Sequence, residues 1–219
     1  MRVVIAGAGK VGRSIARELR EFGHEILVID RDPTVLRPGS FDGISVLNAD
    51  ACELTSLEEA ELGQCQVVVA ATGDDKVNLV VSLLAKTEFG VPRVVARVNH
   101  PKNEWMFGES WGVDVAVSTP RMLSALVEEA VSVGDLVRLF SFGQGDADLV
   151  EITLAAESPA VGSRVGDLAW PTDTVLAAIV RGKRVLSPSA DDSLELGDEL
   201  FFVAAPSQEA QLQRLIAGH

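Results

Sequence analysis

The sequence predicts an α/β protein: a doubly wound parallel sheet of six strands, a connecting helix, and then a smaller α+β domain. Three observations carry this expectation. Short β-branched runs alternate with helical apolar periodicity through the first 118 residues, the pattern of parallel strands joined by crossover helices. A glycine turn, Gly7-Ala8-Gly9-Lys10-Val11-Gly12, stands between the first strand and the first helix. After Gly134 the pattern changes to strands separated by turn residues.

The first strand, Val3 to Ala6, is apolar at every position, as a parallel strand covered on both faces must be. Gly7 permits the tight turn, Gly9 lets backbone approach a pyrophosphate, and Gly12 lets the next helix pack closely. The N-terminus of that helix offers unpaired N–H groups and the positive end of its dipole to phosphates. Val11, Ile15, Leu19 and Phe22 are expected on its inner face, and Gly23 ends it. The second strand closes on Asp30, 18 positions after Gly12, near the roughly 20 expected of an acid that hydrogen-bonds a ribose. A carboxylate there repels a 2′-phosphate, so a nicotinamide ligand would be NAD(H) rather than NADP(H). Arg31 stands beside it. This is a Rossmann-type nucleotide clamp.

Between Arg31 and Asp42, Pro33, Pro38 and Gly39 allow only a short, broken helix. Ile44 to Leu47 reads as strand three, and Thr55 as the cap of a short helix with Leu57, Ala60 and Leu62 inward. Gln66 to Thr72 is the central strand. A helix follows from about Lys76 to Glu88, with Val77, Val80, Val81 and Leu84 on one face. Pro92 to Val98 and Val113 to Ser118 complete the six strands. Ligands on such sheets sit at the carboxyl ends of the strands, where Gly7, Asp30, Asp50, Thr72 and Arg97 fall.

Thr119-Pro120 starts a helix running to Val133, a hydroxyl cap followed by proline at the first helical position. Its stripe of Leu123, Leu126, Val127, Ala130 and Val131 needs a partner, either its own domain or a second subunit. We place a first domain at residues 1–134, connecting helix included, and a second at 135–219. The second has strands at Leu136 to Phe142, Leu149 to Leu154, Thr174 to Val180 and Glu199 to Ala204, and a last helix capped by Ser207.

A net charge of −13 disfavours nucleic acid and anionic membrane surfaces, neither of which gains counterion release from an acidic partner. No apolar run approaches the roughly 18 residues needed to cross a bilayer, and the chain enters a strand at once, so a cytoplasmic protein without membrane insertion is expected. Cys52 and Cys65 have no metal-ligand spacing and read as reduced thiols. The catalytic inventory is thin. There is no tyrosine, no nucleophile elbow and no Walker lysine-serine pair. Of the histidines His24, His100 and His219, only His100 approaches the ligand edge, as a solvated loop residue. Asp191, Asp192, Glu195, Asp198 and Glu199 read as a solvated turn rather than a cation site. We therefore expect a nucleotide clamp read as a signal, with no catalytic residue and no metal. The competing expectation is a small NAD-dependent oxidoreductase.

The chain resembles the regulator of potassium conductance family, the TrkA/KtrA-type cytosolic subunits of bacterial potassium uptake systems. The resemblance rests on V-V-I-A-G-A-G-K-V-G at 3–12, V-I-D-R-D at 28–32, N-A-D-A at 48–51, A-T-G-D-D-K-V-N-L at 71–79, V-V-A-R-V at 94–98 and L-G-D-E-L at 196–200. Asn48 departs from the family's usual glycine. The resemblance implies an N-terminal TrkA-N and a C-terminal TrkA-C lobe. It further implies that Gly7 to Val11 cradle phosphates, Asp30 holds the adenosine ribose, Asp50 and Ala51 edge the adenine, Thr72 and Gly73 line the far side, and Arg97 reaches phosphates or the second ribose. NAD(H) or ATP/ADP would be the regulatory ligand. A membrane-embedded potassium transporter would be the partner, with homo-oligomers from dimers to octameric rings on its cytoplasmic face. A regulator of another cation transporter is the variant of this reading.

Overall fold

The computed structural model describes residues 1–37, 39–131, 133–142 and 147–218, with residues 129 and 130 in backbone only. Pro38, the side chain of Ala130 and His219, singled out above, lie outside the described residues. The chain divides into two compact units, Met1–Pro120 and Arg121–His219.

The first unit is a six-stranded, wholly parallel sheet in the order β3-β2-β1-β4-β5-β6. The strands are β1 (Arg2–Ala6), β2 (Glu25–Asp30), β3 (Ser45–Asn48), β4 (Val67–Ala70), β5 (Arg93–Val98) and β6 (Val115–Ser118). Helices α1 (Lys10–Glu21), α2 (Leu54–Glu59) and α3 (Asp75–Thr87) connect them. Successive side chains of β1 serve opposite layers. Val4 and Ala6 join Ile29, Leu57, Val68, Val94 and Ala96 on one face. Val3 and Ile5 join Ala16, Ile26, Val28, Phe41 and Ile44 on the other. That double coverage is why the strand carries no polar position from Val3 to Ala6, and each fully buried Ile or Leu contributes about 1.5–3 kcal/mol. The strand order reverses at β1, between β2 and β4, and opens a crevice at their carboxyl ends.

Three local expectations are corrected. Phe22 is 77% exposed: α1 ends at Glu21, Phe22 is its C-cap, and the inner face belongs to Gly12 and Ala16 with Ile15 and Leu19 packed beside them. Thr55 lies inside α2, whose N-cap is Glu53, although Leu57, Ala60 and Leu62 are buried as expected. The face that α3 buries most deeply includes Asp75, Asn78 and Ser82 along with Leu79, Val81 and Ala85, whereas Val77, Val80 and Leu84 are only half-buried. Apolar periodicity assigns polar residues outward, and it fails where a polar side chain finds all its partners inside.

The second unit begins within α4 (Thr119–Val131). Ala125 of this helix is buried, but Leu123, Leu126, Val127 and Val131 are between 56% and 76% exposed. The five-stranded antiparallel sheet of this unit has the order β10-β9-β11-β8-β7. Its strands are β7 (Val137–Phe142), β8 (Ala147–Thr153), β9 (Thr174–Arg181), β10 (Arg184–Leu186) and β11 (Glu199–Ala204). The strand β10 has only three residues, too few to show periodicity, and pairs with β9 across the Gly182-Lys183 turn. Helix α5 (Glu209–Ala217) buries Leu212 and Ile216 among Val150, Ile152, Ile179, Leu200 and Phe202.

Candidate functional site

The crevice at the carboxyl ends of the parallel strands holds a cavity of about 610 Å³. Its lining draws on the turn after β1 (Gly7, Gly9, Lys10, Val11), the end of β2 (Asp30, Arg31), the segment after β3 (Asp50, Ala51), the segment after β4 (Thr72, Gly73) and Arg97 of β5. Ile29, Asp32, Val35, Ala49, Ala71, Asp74 and Val77 complete it. Ala8 and Gly12 stand outside this lining; both are buried behind it. A second cavity, of about 370 Å³, lies beside β8 and the end of α5 in the second unit. No basic side chain lines it, so the larger cavity is the one suited to an anion.

Each glycine of the turn has a distinct task. Gly7 has φ +109°, and a Cβ there would lie 2.9 Å from the Ala71 carbonyl oxygen and the Thr72 nitrogen, so both backbone angle and space exclude a side chain. At Gly12 a Cβ would fall 1.9 Å from the Gly7 carbonyl oxygen, which fixes how closely α1 sits on the turn. Gly9 meets nothing within 4 Å; its freedom is toward the cavity. No side-chain hydrogen bond caps α1 and no acid occupies its first turn, which leaves its positive end for an anion.

Asp30 is tied into this turn. Its Oδ2 accepts from the Ala8 N–H at 2.7 Å and its Oδ1 from the Asp32 N–H at 2.9 Å. Each oxygen retains a lone pair for a further donor. The side-chain amide of Asn48 donates to the Asp30 carbonyl at 2.8 Å, holding the ends of β2 and β3 in register. Across the cavity rim, Arg31 lies 3.9 Å from Asp50, and Asp50 accepts from the Cys52 N–H at 2.9 Å. Arg31 is largely exposed, so this pair contributes little to stability.

On the opposite wall the guanidinium of Arg97 carries a buried Nε without a hydrogen-bond partner. A buried N–H left without an acceptor is costly; an anion in the cavity would supply one. Thr72 is already engaged. Its N–H donates to Asn78 Oδ1 at 2.9 Å and its hydroxyl to the same oxygen at 2.7 Å. Asn78 was missed among the site residues. Its signals in the sequence are a polar side chain between the apolar residues Val77 and Leu79 and its place in the A-T-G-D-D-K-V-N-L stretch at 71–79. His100 caps the turn that follows β5, its Nδ1 accepting from the Lys102 N–H.

In the acidic stretch of the second unit, expected as a solvated turn, Asp191 and Glu195 are exposed but Asp198 departs from the expectation. Asp198 is fully buried and takes a bidentate pair from Arg181, Nε at 2.7 Å and Nη2 at 2.8 Å. Glu195 also pairs with Arg181, and Asp192 accepts from the Ser189 N–H. Asp198 and Glu195 thus gather on one arginine. Among the described residues no group of three His, Cys, Asp or Glu side chains is placed to hold a metal.

Residues 3–119 match the family model of the TrkA-N domain, and residues 149–217 that of the TrkA-C domain. The chain belongs to the TrkA family. It is 58% identical over 216 residues to the Trk system potassium uptake protein TrkA of Mycobacterium tuberculosis, covering 99% of this chain and 98% of that protein. It is 30% identical over 220 residues to a TrkA homolog of Methanothermobacter thermautotrophicus, along the whole length of both. Among solved structures, the GsuK channel bound to NAD superposes with a TM-score of 0.67 at 18% identity, over 98% of this chain and 39% of that one. GsuK bound to ADP gives 0.53 at 17% identity, over 61% of this chain and 35% of that one. At these identities the likeness is one of fold, and the TrkA assignment rests on the family models and the relatives. Among the described residues no helix is long and apolar enough to cross a membrane.

Proposed function

We propose that this chain is a nucleotide-sensing regulatory subunit, which gates a membrane potassium transporter and binds NAD(H) or ATP/ADP without transforming it. The observation that carries the reading is the meeting, in one cavity, of an uncapped helix N-terminus at Gly9 and Lys10, the Asp30 carboxylate, and the unpaired Nε of Arg97. Phosphates would lie at the α1 terminus, contacted by the backbone of Gly7 to Val11 and approached by Lys10 and Arg97. The adenosine ribose would sit at Asp30, with Arg31, Asp50 and Ala51 along the adenine edge and Thr72 and Gly73 on the far side. Ala8 and Gly12 would act from behind, by shaping the turn. The lining contains no histidine, cysteine or tyrosine, which suits holding a nucleotide better than moving a proton on a second substrate. GsuK, which shares this fold, has been solved bound to NAD and bound to ADP, and so offers both ligand classes.

The exposed stripe of Leu123, Leu126, Val127 and Val131 would pack against a second subunit, in dimers that assemble into a ring on the cytoplasmic side of the transporter. In this organisation residues 1–134 are the nucleotide lobe with its connecting helix, and residues 135–219 the second lobe. Regulation requires two nucleotides, or occupied and empty states, to differ in affinity for two conformations, since equal affinity shifts nothing. Calorimetric titration of the purified chain with NADH, NAD⁺, ATP and ADP tests the reading. Binding of at least one is expected, and binding of none overturns it. NADH turnover that depends on a second substrate would instead establish an oxidoreductase.

A further inference from the structure

We infer that Asp75 and Asn78 are positioning residues of the nucleotide pocket, joining Thr72, Arg97 and the segment that presents Trp105 into one hydrogen-bonded piece; this rests on the nucleotide reading above. Asn78 has no exposed surface. Besides the two bonds its Oδ1 accepts from Thr72, its Nδ2 donates to the Arg97 carbonyl at 2.8 Å and to the Thr72 carbonyl at 3.3 Å. One side chain thus fixes the carboxyl ends of β4 and β5, the two strand ends that form the far wall of the cavity.

Asp75 extends the connection outward. Its Oδ1 accepts from the Asn99 N–H at 2.6 Å and from Asn99 Nδ2 at 3.0 Å. Its Oδ2 accepts from the His100 N–H at 3.0 Å and from Asn103 Nδ2 at 2.7 Å. Asn99 Nδ2 also reaches the Thr72 carbonyl at 3.0 Å, which closes the circuit back to the pocket. These bonds are not needed to cap α3, because Asp74 already does so by accepting from the Lys76 N–H. Every acceptor site of the Asp75 carboxylate is used on residues 99–103, and a saturated buried network of this kind specifies one arrangement rather than a sliding apolar contact. Two residues past Asn103, in the 3₁₀ segment Pro101–Met106, Trp105 is 83% exposed. An anion that draws in the Arg97 side chain therefore acts on a strand end bonded, through Asn78, Thr72 and Asn99, to the base of the Trp105 segment. The coupling runs through named bonds rather than mere proximity.

The test uses the full chain with Trp111→Phe and Trp170→Phe, which leaves Trp105 as the one tryptophan. NAD⁺ and ADP are titrated by calorimetry while Trp105 emission is followed at saturation. Nucleotide binding is expected to shift that emission. Asp75→Asn, and the milder Asn99→Ala at a half-buried position, are expected to keep the far-ultraviolet circular dichroism, weaken binding about tenfold and abolish the emission shift at saturation. A role confined to stability would lower the melting temperature and leave the saturated shift intact, which overturns the inference. Binding without any Trp105 response in the parent protein overturns it as well. If the parent binds neither nucleotide, the pocket reading itself fails and takes this inference with it.

Discussion

The Ala8 N–H and the Asp30 carboxylate are hydrogen-bonded at 2.7 Å, so the glycine turn and the strand-terminal acid, the two halves of the proposed nucleotide clamp, are one structural unit. Asp30→Ala is therefore expected to do two things. If Asp30 accepts from the ribose as proposed, its loss weakens nucleotide affinity by roughly 1.5–3 kcal/mol, about ten- to a hundredfold. It also strands the N–H of a fully buried alanine, lowering the stability of the first unit by about 1–3 kcal/mol. Titration calorimetry and urea unfolding separate the two effects.

Gly9→Ala and Gly12→Ala are expected to fail differently. At Gly9 the added methyl meets no atom of the chain and the backbone is in an ordinary extended region at φ −65°. The protein should fold with near-normal melting temperature and lose affinity, because the methyl stands where a phosphate would approach. At Gly12 the methyl would lie 1.9 Å from a backbone oxygen, forcing α1 away from the turn. That variant should show a lowered melting temperature of the apoprotein.

Removing one partner of the Arg181–Asp198 pair leaves a buried charge uncompensated. Arg181→Met should destabilise the second unit by about 3 kcal/mol, at the lower end of the range for broken buried pairs because Arg181 is partly exposed. Nucleotide affinity should not change. Chemical denaturation read on Trp170, which packs against Phe202 in that unit, reports it.

Burial pushes the Asp75 carboxyl up, but the hydrogen bonds from Asn99, Asn103 and His100 outweigh it and hold the group below the usual carboxylate range. A depressed folded-state value means the unfolded chain binds the proton more readily. The stabilisation is therefore complete above the ordinary carboxylate pKa and is lost as pH falls through that value toward the folded one. The melting temperature of the first unit should fall on acidification across this window, and Asp75→Asn should flatten the dependence.

Leu126→Lys places a charge in the exposed stripe of α4. If that stripe packs on a second copy, sedimentation velocity should show a shift to smaller species with no loss of helix content. An unchanged oligomer would place the subunit contact elsewhere.

Much of the fold and most of the cavity lining were legible in the sequence. Strand runs such as Val3–Ala6 and Val67–Ala70 admit no polar residue because both faces are covered, and the glycine turn with Asp30 has a spacing set by one strand, one helix and one strand. Tertiary structure alone decided what polar residues do once buried. From the sequence, Asp75 falls ahead of the helix, Asn78 has no inward role and Asp198 belongs to a solvated turn, because periodicity counts only hydrophobicity. Whether a polar group is buried depends on partners distant in sequence, here Arg97, Asn99 and Arg181, and on whether they satisfy all of its hydrogen bonds. Within Gly7 to Gly12 the sequence already separated the tight turn, the phosphate approach and the helix packing; the fold added the distances that enforce it, a Cβ at Gly12 falling 1.9 Å from the Gly7 carbonyl oxygen while one at Gly9 meets nothing within 4 Å.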